Sequence, residues 1–336
     1  MNDTRRNFYT MAGVTHDARR RPRRVTGSLN VAALLFLALA SLGASGENDT
    51  ALSPPLSVYT VNYPLQYFAA RIAGDRAQVI FPAPRDIDPA FWRPSADIVV
   101  AYQNADLIVL NGAGYARWRG LASLPRSRLL DTSAGFRAAM ITGGAASAHR
   151  HGPAGDHDHG GTAFTTWLDF AQAASQASAV ADDLKRLAPA AGPMFATNSA
   201  ALNRDLGDLD RAVAASARRD PERRWLASHP VYQYFARRYG LAVEALTWEP
   251  DTFPDAAEWA VLGSVLASYP SRWMLWEAEP LPQTKARLGE LGITIVVFDP
   301  CFNAPATGDF LTVMRENARR FERSYVDPES GPDLRD

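Results

Sequence analysis

Ser95-Ala-Asp-Ile-Val-Val-Ala-Tyr-Gln-Asn104 followed by Ala105-Asp-Leu-Ile-Val-Leu-Asn111-Gly112 contains two different periodicities side by side. The first half spaces its apolar residues as a helix does, and the second is a short unbroken apolar run closed by a turn signal. A strand with no polar alternation is apolar on both faces, so it needs cover on both, which is the situation inside a parallel sheet flanked by helices. The same unit recurs outward from this stretch. Ser57 to Asn62 reads as a strand, Leu65 to Ile72 as a helix stopped at Gly74, and Gln78 to Phe81 and Ser127 to Asp131 as further strands.

Toward the C-terminus, Trp167 to Leu187 reads as one helix. Met194 to Arg218 reads as a longer one, with Leu202, Leu206, Leu209 and Val213 on one face. A second alternating set then begins, with strands at Trp225–Ala227, Ala242–Thr247, Trp273–Trp276 and Ile293–Phe298. The helices between them are Val231–Tyr239, Asp255–Ser268 and Pro282–Leu291, and Asp309–Tyr325 closes the chain with Phe310, Met314, Ala318 and Phe321 on one side. These pieces predict an α/β protein of two Rossmann-like lobes with parallel sheets, joined by a long connecting helix. The expected divisions are residues 52–192, 193–219 and 223–326. A ligand in such a molecule belongs beyond the carboxyl ends of the strands, in the cleft between lobes.

The first 46 residues differ in kind. An Arg-rich stretch, Arg19 to Arg24, precedes an apolar run from Val31 to Leu42 and the small residues Gly43 to Gly46. That order predicts a cleavable export signal and a periplasmic destination. The run is shorter than the roughly 20 residues a membrane-spanning helix requires. Thr4-Arg-Arg-Asn-Phe8 has twin-arginine character but lies far upstream of the apolar run, so ordinary secretion is the expectation. Cys301 is the sole cysteine, which excludes an internal disulfide and leaves no lipid-attachment cysteine near the expected cleavage point. Of 35 Lys and Arg and 36 Asp and Glu, seven Arg and two Asp precede Glu47, so the remainder carries a net charge of −6. Nucleic-acid binding is disfavoured on that balance.

Between Ile141 and Gly161 the composition collapses to small residues, His and Asp, and His149, His151, His157 and His159 fall within eleven positions. The reading is a low-complexity loop, 149–161, in which imidazoles and the interleaved Asp156 and Asp158 gather metal weakly and become ordered on doing so. The remaining histidine beyond the signal is His229. It follows one predicted strand and precedes a helix, which sends its ring toward the cleft. Asp299, before Pro300, ends the last strand, and Asp88, before Pro89, lies in an early loop. Thr165, Glu277 and Glu279 are further cleft candidates, and most of the tryptophans are expected to pack in the core or between lobes.

Five segments, in order, resemble the zinc- and manganese-binding solute-binding proteins of bacterial ABC importers. They are Asp86-Ile-Asp88-Pro89-Ala90 with Trp92 and Pro94, then Ala105 to Gly112, and the His-rich loop leading to Thr166-Trp-Leu-Asp169. His229-Pro-Val-Tyr-Gln-Tyr-Phe-Ala-Arg-Arg-Tyr-Gly-Leu241 and Asp299-Pro300 complete the set. The resemblance covers nearly all of the chain after the signal. It implies a monomeric receptor that captures a divalent ion between lobes and delivers it to a membrane permease, with no bond made or broken. It also implies four ligands, of which His229 and Asp299 match the third and fourth, whereas Ala90 and Thr165 stand where two histidines belong. A His at the position of 229 leans toward Zn2+. If Asp88 joins His229 and Asp299 the donors become mostly oxygen, which admits Mn2+ or Fe2+. The alternative is the same fold with an altered cleft, serving as a metal-chelate receptor or as an accessory metallochaperone through the His-rich loop. A metallohydrolase is disfavoured, since neither H-E-x-x-H nor G-x-S-x-G occurs.

Overall fold

The computed structural model describes residues 54–142, 148–150, 156–158 and 162–326. The first 46 residues, and with them the expected signal, lie outside the described residues, as do His151 and His159. No helix among the described residues is long and apolar enough to cross a membrane.

Two four-stranded parallel sheets organise the molecule. The first contains β1 (Leu56–Thr60), β2 (Ala77–Ile80), β3 (Leu107–Leu110) and β4 (Leu129–Asp131) in the order β2-β1-β3-β4. The second contains β7 (Arg224–Ala227), β8 (Ala242–Ala245), β9 (Trp273–Trp276) and β10 (Thr294–Val297) in the order β10-β9-β7-β8. Each sheet therefore has its sequence-first strand inside rather than at an edge, and the order reverses there, which opens a crevice at the carboxyl edge. All four residues of β3 are buried, as its unbroken apolar run requires. The helices of the first set are α1 (Tyr63–Ala73) and α2 (Ala96–Asn104), followed by α3 (Phe170–Leu187) and the long α4 (Gly192–Ala217) between the two sheets. The second sheet carries α5 (Gln233–Tyr239), α6 (Ala256–Ser268), α7 (Pro282–Glu290) and α8 (Phe310–Val326). Both sheets belong to one compact unit that begins at Pro54.

Several boundaries depart from the sequence expectation, and each departure has a local cause. The helix expected from Trp167 begins at Phe170 because Asp169 caps it, its Oδ1 accepting from the Ala171 and Gln172 amides at 3.1 and 3.2 Å. Trp167 is thereby freed into a tight turn, and its indole N–H donates to the Pro300 carbonyl at 2.8 Å. The helix expected from Val231 begins at Gln233, since the Val231 amide closes a turn on the His229 carbonyl at 2.9 Å instead. Asp255, expected as the first residue of its helix, is the cap of α6 and forms a reciprocal pair with Glu258. The His-rich stretch, expected as a loop, contains two short antiparallel strands, β5 (Ala148–Arg150) and β6 (Asp156–Asp158), with His149 opposite His157. At its base a Thr142–Thr162 bridge and the Ala163 amide on the Ile141 carbonyl at 2.9 Å hold the flanking residues together.

Aromatic packing ties the second sheet to the first set of helices. Phe310 at the start of α8 meets Phe68 of α1 edge to face at 5.2 Å, while Phe321 further along α8 lies over Trp225 of β7 at 5.2 Å. The expectation that the tryptophans are structural holds for Trp167, Trp225, Trp248 and Trp276, all fully buried.

Candidate functional site

The carboxyl edge of the second sheet follows one pattern on all four strands. Hydrogen bonding runs slightly past β7, β8 and β10, through Ser228 N–H on Leu275, Trp248 N–H on Ser228 and Phe298 N–H on Trp276, at 2.8–2.9 Å. The residue after each of these ladder positions is titratable: His229 after Ser228, Glu249 after Trp248, Glu277 after Trp276 and Asp299 after Phe298. The register pairs Ala227 with Leu275 and Val297 with Trp276, so His229, Glu277 and Asp299 emerge at neighbouring levels of adjacent strands.

His229 is almost wholly buried, and its Nδ1 lies 3.8 Å from Glu277 Oε1. Glu277 Oε1 is itself sealed from solvent and makes no hydrogen bond among the described residues. Burial, and then the negative charges of Asp88, Glu249 and Asp299, push the Glu277 carboxyl well above the usual range. These three carboxylates thus share one electrostatic neighbourhood with Glu277. Asp299 is raised as well, by burial, against the lowering effect of the Cys301 amide and Arg320. Its Oδ1 accepts from Cys301 N–H at 2.6 Å. Cys301 holds the left-handed conformation, φ 60°. Asn317 of α8 secures the Asp299 backbone, accepting from its N–H and donating to its C=O.

From the first lobe, Asp88 approaches with Oδ1 accepting from the Ala90 amide at 2.8 Å. Tyr115 lies nearby, 1% exposed, with no hydrogen bond to its hydroxyl among the described residues; burial, and then the Asp88 charge, raise its pKa. Tyr232 is raised by burial and by Glu277 and Asp299, and its hydroxyl donates to the Phe298 carbonyl at 2.8 Å.

Not every expected residue joins this group. Thr165 is buried, but its hydroxyl donates to the Val231 carbonyl at 2.5 Å, so it ties the lobes together where a ligand would stand in the resembling family. Ala90 is fully buried and offers no donor. Glu279, a cleft candidate, has a side chain 69% exposed that pairs with Lys285 at 3.2 Å. Glu249 is the residue that sequence reading missed. The signal was present, since Trp248-Glu249 repeats the aromatic-acid pair seen at Trp276-Glu277 and Phe298-Asp299. Among the described residues no three His, Cys, Asp or Glu side chains stand close enough to hold a metal ion.

Two parallel sheets with facing carboxyl edges, one of them lined by His229 and acids, define a two-lobed binding protein of the α/β class. The chain belongs to the family described as zinc-uptake complex component A, periplasmic, whose profile matches residues 58–324. It is 25% identical to the zinc-binding lipoprotein AdcA of Streptococcus pneumoniae over 90% of this chain, and spans 64% of that relative's length. It is 26% identical to the high-affinity zinc uptake system protein ZnuA of Bacillus subtilis, over 70% of this chain and 75% of that one. The crystal structure of Zn(II)-bound AdcA from Streptococcus pneumoniae shares the fold, with a TM-score of 0.68 at 21% identity over 81% of this chain and 58% of that one.

Proposed function

We propose that this protein is an exported receptor that captures a divalent metal ion, zinc foremost, in the cleft at the ends of the second sheet and delivers it to an ABC permease. The supporting observation is the run of titratable residues, His229, Glu249, Glu277 and Asp299, that follows the four adjacent strands. A neutral imidazole and ionised carboxylates are the donors that divalent first-row metals take. Capture draws together side chains that otherwise stand apart, and the cation offsets the cost of burying their charge. The family match favours this role over a chelate receptor or a chaperone acting through the His-rich stretch alone. In this reading residues 1–46 are removed on export, residues 52–192 and 223–326 form the lobes about the connecting segment 193–219, and the His-rich stretch 149–161 gathers ions ahead of the cleft.

The test is to strip the purified protein with chelator and titrate zinc, manganese and ferrous iron while counting bound ions. His229→Ala and a variant lacking 149–159 are run in parallel. The expected result is a tight ion retained by the loop deletion and lost from His229→Ala. Wild-type protein that takes up no ion above micromolar background would end the proposal.

A further inference from the structure

The residues after His229 attach the second lobe to the first at several points along one short stretch. Pro230 and the Val231 amide, closed on the His229 carbonyl at 2.9 Å, make a tight turn ahead of α5. The Val231 carbonyl then accepts from the Thr165 hydroxyl at 2.5 Å, a buried bond between lobes. Along α5, Tyr234, Arg237 and Arg238 are spaced i, i+3 and i+4, so they share one face. Each of them meets the first lobe. The Tyr234 hydroxyl accepts from the Ile141 amide at 3.1 Å and donates to the Ala163 carbonyl at 3.0 Å. Arg237 donates to the Ala139 carbonyl while its guanidinium lies 5.0 Å from the centre of the Tyr234 ring. Arg238 Nε stands 3.7 Å from the Asp169 carboxylate that caps α3. The first lobe offers these partners from two segments that are themselves joined, through the Ala163 amide on the Ile141 carbonyl. Thr165 and Tyr234 are both buried, and both hydroxyls donate to the backbone of the opposite lobe.

We propose that the stretch from Val231 to Arg238 is a clasp that fastens the two lobes to each other in the metal-free protein, with Thr165 and Tyr234 as the positioning residues that close it. The inference goes beyond the metal-capture reading and does not depend on it. The spacing of the lobes on this side is set by protein–protein hydrogen bonds, and the turn that carries His229 is fixed from the first lobe as well as from its own sheet. A second attachment leaves from β10, two strands away from β7, where the Trp167 indole donates to the Pro300 carbonyl and Asn303 donates to the Arg85 and Ile87 carbonyls. Release of the clasp therefore turns the second lobe about that attachment instead of freeing it altogether.

The experiment measures the distance between the lobes in chelator-treated protein. Spin labels are placed at Asp182→Cys on α3 and Glu279→Cys in the second lobe, two positions with exposed side chains, while the sole native cysteine, Cys301, is buried. Pulsed electron resonance is then compared for this labelled background, Thr165→Ser, Thr165→Val, Tyr234→Phe and Thr165→Val with Tyr234→Phe, with circular dichroism reporting that each is folded. The background and Thr165→Ser, which keeps the hydroxyl, are expected to give one narrow distribution. Thr165→Val and Tyr234→Phe are expected to give broader and displaced distributions, and the double variant the broadest. A folded double variant with the narrow distribution of the background overturns the clasp. If the double variant does not fold, equal distributions for Thr165→Val and Thr165→Ser overturn it. So does a broad or two-peaked distribution in the metal-free background itself. None of these outcomes decides whether the cleft takes an ion, which the titration above tests separately.

Discussion

The carboxyl edges of the two sheets are built from opposite chemistry. Around Asn111 of the first sheet the polar residues are neutral and bonded to one another. Asn111 Oδ1 accepts from Asn62, Thr166 and Gln176 at 3.2–3.4 Å, its Nδ2 donates to the Phe164 carbonyl at 2.8 Å, and Gln176 also reaches Thr132. At the second sheet the residues are ionisable, and Glu277 Oε1 makes no hydrogen bond among the described residues. A closed network of amides and hydroxyls rigidifies the edge that carries it, whereas a cluster of buried acids is a cost to the fold that only a ligand repays. The contrast separates an edge held by bonded neutral groups from one that gathers buried acids.

The largest effect that would break this contrast comes from the neutral edge. Asn111→Leu orphans donors on Asn62, Thr166 and Gln176 together with the Phe164 carbonyl, and should cost about 3–5 kcal/mol in urea unfolding. It should leave the zinc-to-manganese preference unchanged; an altered preference would show that the first edge also selects the ion. The acidic edge predicts a smaller effect of opposite sign. Because the folded-state pKa of Glu277 is raised, the fold favours its protonated form, so metal-free stability is greatest at low pH and is lost as pH rises from the ordinary carboxyl range through the raised value. Thermal melts of metal-free Glu277→Gln should therefore show a melting temperature above wild type at neutral pH, with the two converging in acid. A variant less stable than wild type at neutral pH would contradict the account of Glu277 as a strained acid. The smallest effect belongs outside both edges: Glu279→Ala removes only an exposed pair with Lys285 and should change stability by less than about 0.5 kcal/mol and metal binding not at all.

How much of this was legible beforehand follows from what each feature depends on. Strands such as β3 and β9 are short apolar runs whose burial leaves a direct mark in composition, and the eight sheet strands emerge at nearly the expected places. Helix starts were less legible, because a cap such as Asp169 is decided by which amides its carboxylate reaches. Within the site, His229 and Asp299 stand out through their neighbours Pro230 and Pro300, which mark turns in sequence. Glu277 was one of two nearby acids, and only the fold separates it from Glu279: one points into the sheet edge and the other into water. The aromatic-acid pair Trp248-Glu249 was visible in sequence, but its meaning arises only from the sheet order, which brings β8 beside β7.

Trp248 and Trp276 come immediately before Glu249 and Glu277, and their rings lie 6.0 Å apart at a steep angle. Both indoles are buried, and each is joined to its acid by a single peptide unit. Indole emission responds to charge placed nearby, so under the proposed function an ion captured at these strand ends would be read in the protein's own ultraviolet fluorescence, with no attached dye.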